Sequence, residues 1–245
     1  MEEAYEILDY LPIRFKEVTE EEYIKFLWEA FESNYQNEKY QFSFMAYHML
    51  FMSSVYFNVW QIKSIREDDF HKIRLGFNED FGNATSPFNF SKENESRVLD
   101  LLRYTCASHS DVKSLIGQYK KLVKERNGVA HANGSIPFRT SSYLETRVSD
   151  IIRYTAEIQS YSKPIIQECF KKFLIESQDE ETRPYVDISE QINEVLIHEH
   201  YLSQKDLEFC LEYDISNLAD EPNYIEIEKI FQELQTQYSP EDLEV

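Results

Sequence analysis

Apolar side chains return along this chain every three or four residues, the spacing of one face of an α-helix. Tyr23, Phe26, Leu27, Ala30 and Phe31 hold that spacing behind Thr19-Glu20-Glu21-Glu22, a capping box that predicts an amphipathic helix with an acidic outer face. From Gln41 to Ile65 the chain is apolar on nearly every side, as a central helix buried by several neighbours requires. His48 lies inside this run, and its expected role is that of a hydrogen-bonded core histidine. Gly76 to Ser91, rich in Gly, Asn, Ser and Pro, reads as a long loop. Ser91 then caps a helix carrying Val98, Leu101, Leu102 and Thr105, and a further helix runs from about Asp111 to Arg126. Ser141-Ser142 opens another, with Leu144, Val148, Ile151, Ile152, Thr155 and Ile158 on one face, which Pro164 kinks or divides.

Gln178 to Pro184 is polar and marks the best boundary in the chain. Three shorter helical patterns follow: Ile188 to His200, Ser203 to Tyr213 with Ser203 as cap, and Pro222 to Tyr238 with Pro222 in the first turn. The expected fold class is all-α: a helical core over residues 37–178, an acidic N-terminal helical extension over 1–36 and an acidic C-terminal helical segment over 179–245. With five glycines and seven prolines in 245 residues, the chain lacks the turn residues and the alternation that sheets need.

Composition narrows the setting. The acidic start has neither the basic residues nor the apolar run of a signal peptide, and no window approaches 18 uninterrupted apolar residues. A soluble, cytoplasmic protein with no membrane partner is expected. Cys106, Cys169 and Cys210 are scattered and odd in number, which argues against disulfides and zinc. His198 and His200 are two apart, so on a helix they diverge instead of forming the i, i+4 pair that chelates a metal. No cofactor or metal is implied.

The formal charge of −20 conceals a segregation that changes the partner question. Residues 1–36 hold 3 basic and 10 acidic side chains, net −7; residues 37–178 hold 19 and 16, net +3; residues 179–245 hold 3 and 19, net −16. Only the middle segment is able to approach a phosphate backbone without strong repulsion. The acidic tail would repel RNA or occupy a basic cleft in its place; alternatively its helices pack on the bundle as a solvated cap.

Candidate chemistry lies where the 111–126 stripe ends. Val112, Leu115, Ile116, Tyr119, Leu122 and Val123 lead to Arg126, so a core face finishes in a guanidinium that must be paired or face a cleft. Asn127-Gly128 reads as a helix-stopping pair, and Val129, Ala130 and His131 follow. On one unbroken helix, side chains five apart point roughly 140° away from each other. A break, or a second copy of the chain, is therefore needed before Arg126 and His131 act on one ligand. An arginine and a histidine suit phosphodiester cleavage without a metal: the imidazole moves the proton of a ribose 2′-hydroxyl, and the guanidinium holds the charge that builds on the phosphate. Asn127 would orient the histidine or donate to phosphate, and Lys124 would contact the backbone of the substrate. The plainer alternative is a helix end, with Arg126 bonding terminal carbonyls and His131 satisfied in a turn.

Arg126-Asn127-Gly128-Val129-Ala130-His131, followed by Ala132-Asn133-Gly134, resembles the RxxxxH motif of the HEPN superfamily of helical ribonuclease domains. The resemblance covers roughly residues 40–178. It implies a HEPN-like helical bundle and metal-independent endoribonuclease activity leaving a 2′,3′-cyclic phosphate, with Arg126 and His131 catalytic. It also implies homodimers in which two motifs form one composite site, and a toxin or anti-phage defence role with a possible antitoxin partner. The competing expectation is a non-catalytic helical interaction or regulatory module with an acidic partner-binding tail.

Overall fold

The computed structural model describes residues 2–131 and 134–238. Its organising element is α2 (Tyr40–Ile65), buried along most of its length as the all-round apolar pattern requires. Its buried serine hydroxyls do not disturb the core, because each donates to a nearby carbonyl: Ser43 to Phe31 at 2.9 Å, Ser53 to Met49 at 2.8 Å and Ser54 to Phe51 at 2.7 Å. Helix α1 (Val18–Gln36) packs along α2 through Ile24, Leu27 and Phe31. The tight connection between them places Glu38 in the left-handed region, with φ 58°. The capping box expected at Thr19 does not form. The helix begins at Val18, one residue ahead of that hydroxyl, so the cap position falls on Glu17, whose side chain makes no capping bond.

After α3 (Glu67–Ile73), the stretch expected as one long loop is broken up by short turns. Asn78 caps α4 (Glu79–Gly82), and Ser86 and Asn89 form a capping box on a 3-10 turn over Pro87–Lys92. Phe81 and Phe90 explain the order: both are buried, and their rings lie 4.6 Å apart against Phe70. Helix α5 (Glu95–Leu101) starts three residues later than the sequence suggested. Asn94 accepts its first free N–H, while Ser91 is spent on the carbonyl of Phe88. Asp111 caps α6 (Val112–Ala130).

Helix α7 (Ser141–Ser177), capped by Thr140, runs through Pro164 as one element. It is buried on both sides of the proline, by Ile158 before it and by Ile165, Ile166 and Phe170 after it. That packing offsets the ~3 kcal/mol a proline costs within a helix. The first half of α7 joins α1, α2, α5 and α6 in one apolar cluster; the second half supports another, with Phe170 and Leu174 against Leu196, Leu207 and Ile230. The C-terminal residues supplying this second cluster form α8 (Ile188–Gln191), a π-helical turn over Ile192–His198, α9 (Gln204–Leu211) and α10 (Tyr224–Tyr238). Pro222 precedes the first turn of α10 instead of lying inside it.

The N-terminal stretch is tied to the C-terminal helices. Ile13 donates its N–H to the carbonyl of Leu202 at 3.0 Å, and Ala4 and Ile7, on a 3-10 helix over Glu2–Tyr10, are fully buried in the first cluster. Asp206 is the deepest knot. It accepts from Gln61 of α2 at 3.0 Å, from Gln159 of α7, and from the Ser203 hydroxyl at 2.8 Å in the capping box of α9. The fold is all-α; among the described residues the only bridge of extended backbone pairs Pro12 with Ser203. No described helix is long and apolar enough to cross a membrane.

Candidate functional site

The face of α6 forms as its periodicity requires: Leu115, Ile116, Tyr119, Leu122 and Val123 are buried. The helix does not stop at Asn127-Gly128. It continues to Ala130, and the N–H of His131 still bonds the carbonyl of Asn127 at 3.1 Å. Gly128 keeps a φ outside the left-handed region, and Val129, one turn beyond Arg126 on the core side, packs against the first cluster. The partial burial of that side chain favours carrying the helix on, against the ~1 kcal/mol by which glycine disfavours one. The chain leaves the helix at His131, where φ −88° and ψ 139° are extended.

Arg126 therefore enters the bundle as a charge on a core face, and it is paired there. Its Nη2 bonds Oε1 of Glu95, the first residue of α5, and Oε2 of the same carboxylate lies 3.0 Å from Nε2 of His48 on α2. The three side chains are 24%, 15% and 0% exposed, so one carboxylate bridges two basic groups out of bulk water. Burial pushes the Glu95 carboxyl upward, but the hydrogen bonds and charges of His48 and Arg126 prevail and hold it below its ordinary range. Among the described residues, Nδ1 of His48 and Nε of Arg126 are buried without a partner. Beside this cluster Arg147 of α7 reaches Glu125 of α6 at 3.0 Å and Asp150 at 2.7 Å, and burial raises the Glu125 carboxyl.

The residues singled out from sequence thus separate. Arg126 points into the bundle with a quarter of its side chain accessible, Asn127 is half-buried, and Lys124 and His131 are exposed. Because α6 is unbroken, the roughly 140° divergence expected for a five-residue offset applies, and one copy of the chain does not bring Arg126 and His131 onto a common point. Ala132 and Asn133, which belong to the HEPN-like stretch, lie outside the described residues.

Sequence reasoning missed Glu95. The only signal for it was the need of a buried guanidinium for a carboxylate, and nothing in the chain's 45 acidic residues says which one answers. His48 is the core histidine expected. His198 bonds Glu194 and the carbonyl of Phe15, and no cluster of three or more metal-ligating side chains occurs among the described residues. Comparison with protein-family models, with curated proteins and with solved structures finds no match to this chain.

Proposed function

We propose that this chain is a metal-independent endoribonuclease of the HEPN type that works as a homodimer, with Arg126 and His131 of two copies converging on one phosphate. The observation that carries the reading is the exposed imidazole of His131 at the end of the same helix that carries Arg126, in a segment resembling the RxxxxH motif. His131 takes the proton of a ribose 2′-hydroxyl. The 2′-oxygen attacks phosphorus, the bond to the 5′-oxygen breaks, and the leaving oxygen gains a proton from a second imidazole, giving a 2′,3′-cyclic phosphate and a 5′-hydroxyl. Arg126 offsets the charge on the phosphate oxygens, with Glu95 fixing its position, and Lys124 contacts the substrate backbone. The divergence of the two side chains along α6 supports a two-copy site, since a two-fold axis brings a second pair to the same phosphate. A toxin or anti-phage defence role with an antitoxin partner follows from the resemblance alone.

A second reading has its own observation. Arg126 and His48 share the Glu95 carboxylate in a cluster that stabilises the bundle without any substrate, as a helical interaction module would use it. Incubation with single-stranded RNA in EDTA decides between them. His131 is the clean probe because it is exposed and its replacement leaves the bundle intact; His131→Ala should lower cleavage by about 10² with an unchanged helical CD signal. Absence of cleavage by the parent chain would favour the interaction module, whereas a strict need for Mg²⁺ or full activity in His131→Ala would overturn the metal-independent mechanism at His131.

A further inference from the structure

Away from the exposed end of α6, a cleft of about 530 Å³ opens between α1, α2 and the Pro87–Lys92 turn. No lysine, arginine or histidine lines it, whereas the carboxylates of Glu17, Glu20 and Glu95 do. Glu95 is already committed to Arg126 and His48. Glu20 is not. It is 5% exposed and accepts hydrogen bonds from the Ser86 hydroxyl at 2.6 Å and the Tyr201 hydroxyl at 2.9 Å, and no cation pairs with it among the described residues. Both donors are neutral, and apart from the N-terminal turn of α1 in which it lies, nothing positive answers this buried carboxylate among the described residues, so the position suits a cationic ligand.

The rest of the wall suits an organic cation. Tyr23 and Phe88 meet edge to face with centroids 5.3 Å apart, and the thioethers of Met49 and Met52 add soft, polarisable surface. Tyr56, 5% exposed, also lines the cleft, and its hydroxyl has no hydrogen-bond partner among the described residues. Burial raises the pKa of that hydroxyl, so it stays neutral and able to accept from an N–H. A phosphate or carboxylate ligand would find no cationic side chain in the lining and would face three carboxylates.

We propose that this cleft is a binding site for a small organic cation, an ammonium group on an aromatic or alkyl skeleton, with Glu20 and the Tyr56 hydroxyl as its polar contacts and the rings of Tyr23 and Phe88 as its walls. The cleft borders the Arg126 cluster through Glu95, but binding of a cation in it does not require RNA cleavage. Three probes sharing one skeleton test it on the full-length chain: phenethylammonium, neutral phenethyl alcohol and anionic phenylacetate. Calorimetry measures affinity, and the ¹³C-methyl resonances of Met49 and Met52 report location. Phenethylammonium should bind and shift both methyls; the alcohol should bind roughly tenfold more weakly or worse, and phenylacetate not at all. Glu20→Gln should weaken phenethylammonium by roughly tenfold. Tyr23→Ala, which removes a ring already 38% exposed and so spares the core, should weaken it several-fold. Unmoved methyl resonances at about 10 mM phenethylammonium would overturn the site, as would equal binding of the three probes. Unchanged affinity in folded Glu20→Gln would do the same. If Glu20→Gln does not fold, the charge series and Tyr23→Ala decide.

Discussion

Glu95 holds Arg126 at the point where the core face of α6 turns polar, and the same carboxylate reaches His48 at 3.0 Å. Removing it would leave a guanidinium in the bundle without its counter-charge and an imidazole without its hydrogen-bond partner. Glu95→Ala should therefore lose about 2–4 kcal/mol in urea unfolding, the range for breaking one side of a largely buried pair. Because folding holds the Glu95 carboxyl below its ordinary 4.5, its contribution is fully present above that value and is lost as pH falls through the lowered one. The stability gap between the parent chain and Glu95→Gln should close on acidification from about pH 5 downward. A gap that stays constant with pH would contradict the pairing.

The path of α6 through Gly128 has a consequence of definite sign. At a helix-ending, left-handed glycine, alanine is strained; inside a helix, it is preferred. A Cβ built at Gly128 meets no atom within 4 Å, so Gly128→Ala should raise stability by about 0.5–1 kcal/mol. Thermal unfolding checks this, and a lower midpoint would mean that the helix ends at Asn127.

Asp206 links three helices through one carboxyl group. Asp206→Ala strands the donors of Gln61, Gln159 and Ser203 away from water, which should cost about 2–4 kcal/mol. Chemical denaturation measures the loss, and a cost within 0.5 kcal/mol, roughly the noise of a surface change, would show that water replaces the network.

The acidic C-terminal segment covers apolar surface. Ending the chain at Ser177 would remove the partners from Ile192 to Leu234 and expose the side of α7 that carries Phe170, Phe173 and Leu174. Light scattering should then find an aggregated species. A soluble, cooperatively unfolding fragment would instead return the segment to the electrostatic role that its net charge of −16 suggested.

Local periodicity was enough to establish the all-α fold class, the buried course of α2, the stripe from Leu115 to Val123 and the Ser203 cap, because each depends on residues within a turn or two of one another. It also established that Arg126 interrupts an apolar face and needs a partner. Which partner was a matter for the tertiary structure: Glu95 and His48 lie 47 residues apart, and only the packing of α2, α5 and α6 brings them to one guanidinium. Packing likewise decided where α6 ends. Asn127-Gly128 has the local chemistry of a helix stop, but the helix runs on and Val129 packs against the first cluster, and a competition between a local preference and a long-range contact is settled by the fold.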